Sequence, residues 1–192
     1  MVIDTDSSEK SVEEVPKTGV SIPESLVLLE TVADLYPDSN LLPKAGPTNS
    51  IQRAKIRLFV EAVNTAFISS YVDWTFKEGK ASNILTALES LQDHLPEQGF
   101  LLGTDDVTIG DLALAPFFYR FKVFAENANV EVVDIEGGKQ LLKTLETDSK
   151  YAKINTYLNK LINLPSIKST APENNVIIEG YTSKIKLLRS SQ

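Results

Sequence analysis

The chain has 192 residues, of which 42% are hydrophobic and 23% are charged, and its formal net charge is −7. This composition is typical of a globular protein with a sizeable core, and the acidic balance disfavours binding to a nucleic-acid backbone. The absence of cysteine and the single histidine, His94, exclude disulfides, a cysteine nucleophile and a histidine-based metal cluster. No apolar run could span a membrane and the N-terminus lacks the apolar core of a signal peptide, so we predict a cytoplasmic protein.

The first 48 residues predict a poorly ordered start, a short strand, one helix and a linker. Residues 1–19 are acidic and rich in serine, so we expect most of them to be poorly ordered. The segment VSIP at 20–23 is typical of a short strand, and residues 24–37 carry apolar side chains at helical spacing until Pro37. Residues 38–48 contain prolines and a glycine and predict a linker.

Residues 49–192 predict a helical domain. The periodic segments lie at 49–77, 82–96, 108–127, 137–147, 151–165 and 178–189. One broad apolar face of the longest segment is predicted from Ile51, Ala54, Leu58, Ala62, Val63, Phe67 and Tyr71. Segment 108–127 is apolar almost all round, which is typical of a helix buried at the centre of a domain. The sequence therefore predicts a mainly α fold.

The start of segment 108–127 carries a double capping signal. Thr108 and Asp111 predict a capping box, in which each side chain accepts a hydrogen bond from the other residue's backbone N–H group. Val107 and Leu112 fit a hydrophobic staple around that box. A buried helix end needs such partners, because water cannot satisfy its free N–H groups. Pro116 removes one N–H group further along and is expected to kink the helix.

Two motifs resemble the glutathione transferase superfamily, are closest to its fungal omega-like class and occur along the chain in the family's order. One is LLGTDDVTIGDLALAPFFYR at 101–120, which is similar to the start of the buried central helix in the family's C-terminal helical domain. The other is SIPESLVLLETVADLYPDSNLLP at 21–43, which is similar to the end of the family's thioredoxin-like domain and the following linker. The resemblance implies a glutathione transferase C-terminal-type helical bundle at 49–192, preceded at 20–37 by a thioredoxin-like remnant of one short strand and one helix.

The resemblance also implies a glutathione site. In the family, a Glu-Ser pair opens the helix after the last strand, and the serine hydroxyl and free N–H groups hold the γ-glutamyl carboxylate of glutathione. Glu24 and Ser25 occupy those positions. Pro16, which follows Val15, resembles a cis-proline that holds the cysteinyl part. Two alternatives stay open: Ser21 and Glu24 also form an S-x-x-E capping box, and an X-Pro pair in a polar segment is commonly an extended linker.

Aromatic residues on the longest helix suggest a second site. In the family this helix lines the cleft for the hydrophobic co-substrate, so the resemblance implies that Phe67, Tyr71 and Trp74 form a wall of a site for small hydrophobic molecules. Tyr71 and Trp74 suit this role better, because each has a polar group beside its ring. The alternative is that aromatic residues at helical spacing belong to the core, and for Phe67 this alternative is preferred.

The implied function is conjugation of glutathione to small hydrophobic electrophiles, or its removal from them, as in detoxification. Family members act by lowering the thiol pKa of bound glutathione, and the resemblance implies a homodimer. Only 23 residues precede Glu24, fewer than a βαβ unit needs, so we expect the thiol-activating position to be absent and assign no catalytic residue.

Two further hypotheses follow from that expectation. The chain could instead be a non-catalytic helical module that dimerises or carries hydrophobic ligands. A third hypothesis is that an upstream segment has been lost, so that this polypeptide no longer performs the family's reaction. A helical domain without its thioredoxin-like partner should leave apolar surface bare, which predicts self-association.

Overall fold

The computed structural model describes residues 2–3, 20–130 and 133–190, and most of them are helical. Strands β1 (Val2–Ile3) and β2 (Val20–Ser21) pair antiparallel. The helices are α1 (Ser25–Leu35), α2 (Ser50–Ala62), α3 (Ser69–Phe76), α4 (Ala81–Gln92), α5 (Ile109–Asn127), α6 (Ile135–Thr147), α7 (Ala152–Ile162), α8 (Pro165–Thr170) and α9 (Asn174–Ser190). The mainly α fold predicted from the sequence is therefore confirmed. None of the helices in the described residues is long and apolar enough to cross a membrane.

The N-terminal part of the fold is small. Segment 20–37 holds β2 and α1, and short 3-10 turns at Pro37–Ser39 and Pro47–Asn49 connect α1 to α2. Residues 4–19, most of the segment predicted to be poorly ordered, lie outside the described residues. Helix α1 packs on α5, so the N-terminal part contacts the central helix directly.

Helices α2 and α3 form one continuous rod, joined by a π-helical segment at Val63–Ile68. The long helix predicted from the sequence is thus present, with a change in winding that the hydrophobic pattern does not reveal. Its buried face consists of Ile56, Phe59, Val63, Phe67, Tyr71 and Trp74. The prediction that Ile51 and Leu58 belong to this face is wrong, since their exposed fractions are 70% and 63%. At 100° per residue, both side chains point away from the row that begins at Ile56.

Helix α5 lies at the centre of the fold, as its apolar sequence predicts. It packs against α2, α6, α7 and α9 as well as α1. Its buried side chains include Leu114, Phe118, Phe121 and Phe124. Pro116 lies inside the helix and leaves the carbonyl of Leu112 without its helical N–H partner.

The C-terminal elements differ in their bounds from the sequence prediction. Helix α7 stops at Ile162, and a separate short helix, α8, begins at Pro165, where proline suits the first helical position. Helix α9 begins at Asn174, earlier than expected, and buries Ile177 and Ile185. It packs against α3 and α5, so the end of the chain covers part of the central bundle.

Candidate functional site

The N-terminus of α1 is open to solvent. Glu24 is its N-cap residue, with an extended backbone (φ −88°, ψ 118°), and no side chain caps this end. The N–H group of Leu28 donates to the Glu24 carbonyl at 2.9 Å, so the N–H groups of Ser25, Leu26 and Val27 precede the first helical hydrogen bond. Glu24 and Ser25 are both exposed. The predicted pair therefore stands beside free backbone donors at an accessible helix end.

The two alternatives for this region have different outcomes. The capping box predicted from Ser21 and Glu24 is wrong, because Ser21 ends β2 and the N-cap position of α1 belongs to Glu24. Pro16, the candidate for the cysteinyl part of glutathione, lies outside the described residues.

An ion-pair network fixes α1 against α2. Arg57 donates from Nε to Oε1 of Glu30 at 2.7 Å and from its second nitrogen to Oε2 at 3.0 Å. This hydrogen bond holds the pKa of Glu30 below its usual value and raises the pKa of Arg57. Arg53 donates to the Pro43 carbonyl at 2.7 Å and lies 3.5 Å from Asp34. The direction of α1 is therefore set by side chains of α2.

A buried carboxylate organises the start of α5. Asp111 is fully buried, and its Oδ2 accepts from the N–H group of Thr108 at 2.7 Å and from the Thr108 hydroxyl at 2.8 Å. Its Oδ1 accepts from the N–H group of Leu101 at 3.0 Å and from the Tyr157 hydroxyl at 2.7 Å. Burial, then the nearby Asp111 charge, raises the pKa of Tyr157 well above its usual value. The capping box predicted from Thr108 and Asp111 is present.

The apolar half of that motif is less complete. Val107 is half-buried and packs against the core. Leu112 is also half-buried. The contact between Val107 and Leu112 that defines a hydrophobic staple stays a prediction. The polar bonds around Asp111 therefore account for the start of α5 in this structure.

The aromatic residues predicted to line a cleft are in the core. The exposed fractions of Phe67, Tyr71 and Trp74 are 0%, 2% and 0%. Trp74 donates from Nε1 to the Asp134 carbonyl at 2.9 Å, and the Tyr71 hydroxyl donates to that of Tyr181 on α9. Burial raises the pKa of Tyr71 far above its usual value. These positions correct the prediction that Tyr71 and Trp74 face an open cleft, because α6 and α9 supply partners that cover them.

A groove between α5 and α8 holds a candidate that sequence reasoning missed. Its volume is about 90 Å³, and its lining residues are Pro116, Tyr119, Arg120, Ile167, Thr170, Ala171 and Pro172. The Arg120 guanidinium carbon lies 5.8 Å from the ring centroid of Phe117. None of the ion pairs between described residues includes Arg120. The signal that could have identified Arg120 from the sequence is its positive charge within the apolar run of α5.

Solved structures resemble this arrangement over most of the chain. Glutathione transferase Omega 1C from Trametes versicolor superposes with a TM-score of 0.80 at 27% identity, covering 94% of this chain and 73% of that one. Glutathione transferase Omega 2C from the same fungus has a TM-score of 0.74 and 31% identity, covering 90% of this chain and 70% of that one. The chain belongs to the glutathione transferase superfamily. Its structural neighbours place it beside the fungal omega-like class.

Two sequence comparisons agree with this family. The family model for the glutathione S-transferase C-terminal domain matches residues 75–159. A probable cytosolic glutathione S-transferase, DHAR1, from Oryza sativa subsp. japonica is 22% identical over 167 residues, covering 87% of this chain and 68% of that protein. Glutathione transferases use glutathione as a substrate, bind hydrophobic ligands and are typically dimers. The match at 75–159 includes the whole of α5 with its capping box.

The described part of this glutathione transferase offers no evident metal centre. No three His, Asp or Glu side chains in it are grouped closely enough to hold a metal ion. The candidate groups are instead hydrogen-bond donors and acceptors at the N-terminus of α1 and a cation beside an apolar groove.

Proposed function

We propose that this glutathione transferase binds glutathione at the N-terminus of α1 and conjugates it to small hydrophobic electrophiles or removes it from them. The observation that carries the proposal is the uncapped helix end with Glu24 and Ser25 exposed beside it. The γ-glutamyl carboxylate would accept from the Ser25 hydroxyl and the first N–H groups of the helix, where the helix dipole favours an anion. The Glu24 carboxylate would accept from the γ-glutamyl ammonium group.

The network on α2 supports this proposal. A glutathione molecule bound at Ser25 takes its position from α1, and the bond between Arg57 and Glu30 fixes α1 on the helical domain. A rigidly held binding group loses less entropy when the ligand binds. We therefore propose Arg57 and Glu30 as positioning residues for glutathione.

The α5–α8 groove supports the second half of the proposal. Pro116, Ile167 and Pro172 give it apolar walls, and Arg120 and Thr170 add donors. A groove of about 90 Å³ holds only part of a hydrophobic electrophile. A guanidinium without a carboxylate partner favours an electron-rich or anionic group on that part.

The reaction itself forms or breaks a bond at sulfur. The sequence contains no cysteine, so the nucleophilic thiol is that of glutathione. In conjugation its thiolate attacks the electrophilic carbon, a carbon–sulfur bond forms, and the leaving group departs with its electron pair. We assign no residue of 20–130 or 133–190 to deprotonation of the thiol.

Isothermal titration with glutathione tests the binding step. We expect saturable heat at millimolar glutathione, and a loss of about tenfold or more in affinity for Ser25→Ala, because a bond to a charged group is removed. Ser82→Ala is the matched control, since Ser82 is also exposed in the first turn of a helix whose N-cap side chain makes no bond. Absence of heat at millimolar glutathione would overturn the assignment of Glu24 and Ser25.

A non-catalytic carrier of hydrophobic ligands is the second candidate. It is favoured by the α5–α8 groove, which offers a ligand apolar walls, and by the lack of an assigned thiol-activating residue among 20–130 and 133–190. An assay with 1-chloro-2,4-dinitrobenzene and glutathione separates the two. Conjugation above the uncatalysed rate supports the enzyme, and binding of the electrophile without conjugation supports the carrier.

We also propose that a second copy of the chain is a partner. Ile51 and Leu58 are exposed and lie seven residues apart on one side of α2, an apolar pair of the kind that association covers. Sedimentation velocity should show a dimer that Ile51→Glu weakens. A monomer at high concentration for the unaltered chain would contradict this proposal.

A cytoplasmic location is proposed from the sequence and from the name of the rice relative, which calls that protein cytosolic. Imaging of a C-terminal fluorescent fusion tests it, and a signal confined to an organelle would overturn it.

A further inference from the structure

A cavity lies between α2 and the end of α4. Its volume is about 450 Å³, which lies within the usual size of small-molecule sites. Polar side chains on its wall are Gln52, Lys55, Asp93 and His94, and Leu58 and Leu102 add apolar surface. The cavity shares no residue with the α1 N-terminus or with the α5–α8 groove.

The polar side chains around this cavity are exposed and have no hydrogen-bond or ion-pair partner among the described residues. None of the ion pairs in the described part of the chain includes Lys55 or Asp93. No hydrogen bond among the described residues involves the side chains of Gln52, Lys55, Asp93 or His94. Other lysines near α4 are paired, such as Lys150 with Glu89 at 2.7 Å. Four polar groups without a hydrogen-bond or ion-pair partner in the described part of the chain therefore line one concave surface.

One of these groups is held by the core. The His94 ring lies edge-on to Phe59, with 6.0 Å between ring centroids, and Phe59 is fully buried. Leu101, also on the cavity wall, has an exposed fraction of 7%. The floor of the cavity is thus part of the packed domain, and the polar side chains at its rim are exposed.

We infer that this cavity binds a hydroxylated aromatic monocarboxylate. The ammonium group of Lys55 pairs with the carboxylate, and the Asp93 carboxylate accepts from the hydroxyl group. The rings pack on Leu101 and Leu102, and a two-ring ligand fits the volume. A second carboxylate on the ligand is disfavoured, because it would face Asp93 with the same sign of charge.

Titration of the full chain with 6-hydroxy-2-naphthoate tests this inference. His94 is the single histidine, so its imidazole proton signals in an NMR spectrum need no further assignment. We expect these signals to shift saturably with the probe. Lys55→Met should weaken binding about tenfold, since it removes the charge but keeps the apolar stem. Lys143→Met, at an exposed lysine on α6, is the matched control and should leave the affinity unchanged.

Further variants and probes separate this cavity from other sites. Asp93→Asn should weaken the hydroxynaphthoate but leave 2-naphthoate unchanged, and it keeps the inference testable if Lys55→Met unfolds the chain. Arg120→Met should leave the His94 shift intact. The inference is overturned if the His94 signals do not move, if uncharged 2-naphthol binds as tightly, or if Arg120→Met abolishes the shift. Glutathione is absent throughout, so failure here is distinct from failure of the proposed transferase function.

Discussion

The hydroxyl of Tyr157 on α7 donates a 2.7 Å hydrogen bond to Asp111 on α5, across 46 residues of sequence. The bond ties the cap of the central helix to a neighbouring helix. Tyr157→Phe removes one of the four bonds to a buried carboxylate, so we expect the free energy of unfolding to fall by about 1.5–3 kcal/mol. Urea denaturation monitored by circular dichroism measures this. Tyr119→Phe is the control, because Tyr119 is half-buried and its hydroxyl has no hydrogen-bond partner among the described residues. An equal loss of unfolding free energy for Tyr119→Phe would refute the role of the bond.

Stability should fall at alkaline pH. Burial raises the pKa of Tyr71 and of Tyr157, so the folded state favours the neutral hydroxyls. The corresponding stability is fully present below the unfolded pKa of about 10 and is lost as pH rises above that value towards the folded pKa. Urea midpoints between pH 8 and 11 should therefore decline, and Tyr71→Phe with Tyr157→Phe should flatten the decline. An unchanged slope in the double variant would contradict this explanation.

Replacement of Asp134 should lower the free energy of unfolding more than replacement of an ordinary helix-capping residue. Its carboxylate accepts from the N–H group of Gly137 at 3.0 Å and from that of Ala81 at 3.2 Å, so one side chain serves the starts of α6 and α4. We expect Asp134→Ala to cost about 2 kcal/mol, the upper end for caps. Asp148→Ala is the comparison, since its carboxylate caps only the N–H group of Lys150. Fluorescence of Trp74, whose Nε1 donates to the Asp134 carbonyl, reports unfolding of both variants. A smaller loss of unfolding free energy for Asp134→Ala than for Asp148→Ala would contradict this prediction.

The bond between Arg57 and Glu30 should affect ligand binding more than stability. Both side chains are partly exposed, so Arg57→Met should cost less than about 1 kcal/mol of unfolding free energy. If glutathione binds at α1, its affinity should fall about threefold or more as α1 loses its fixed direction. Lys55→Met, on the same helix, is the control for glutathione titration. Equal glutathione affinity for Arg57→Met and the unaltered chain would remove Arg57 as a positioning residue.

The pair of Arg57 and Glu30 also predicts that the free energy of unfolding falls at acidic pH. The pKa of Glu30 is lowered in the folded state, chiefly by the hydrogen bond from Arg57. The stability from this pair is present above the unfolded pKa of about 4.3 and is lost as pH falls through the lower folded pKa. Glu30→Gln should make the urea midpoint less sensitive to pH below 4.5, and an identical acid profile would argue against the pair.

Local signals in the sequence predicted the start of α5, but they did not predict the partners of Asp111 that lie farther away in the sequence. Thr108 and Asp111 are close enough in sequence for their spacing to predict the capping box. Leu101 and Tyr157 complete the same carboxylate, but no local pattern assigns them to it, because the packing of α7 on α5 brings Tyr157 there. The same limit applies to Tyr71, whose burial depends on Tyr181 at the far end of the chain.

The candidate sites show the same division. Glu24 and Ser25 were predicted because a motif places them together at a helix start. Arg120 and Lys55 could not be proposed from the sequence, since the groove and the cavity that they line are formed by helices that are distant in sequence. The error at Ile51 and Leu58 has a different cause, because apolar side chains at helical spacing were assumed to face inward although both lie on the outer side of α2.

The π-helical segment at Val63–Ile68 sets the angular offset between the two halves of the longest rod. Uniform α-helical winding of the same residues would instead rotate everything beyond the segment by about 100° around the axis, because a π-helical segment accommodates one extra residue. Tyr71 and Trp74 would then turn away from Tyr181 and Asp134. The positions of Tyr71 and Trp74 in the core therefore depend on the one extra residue that the π-helical segment accommodates, as well as on the hydrogen bonds of their side chains.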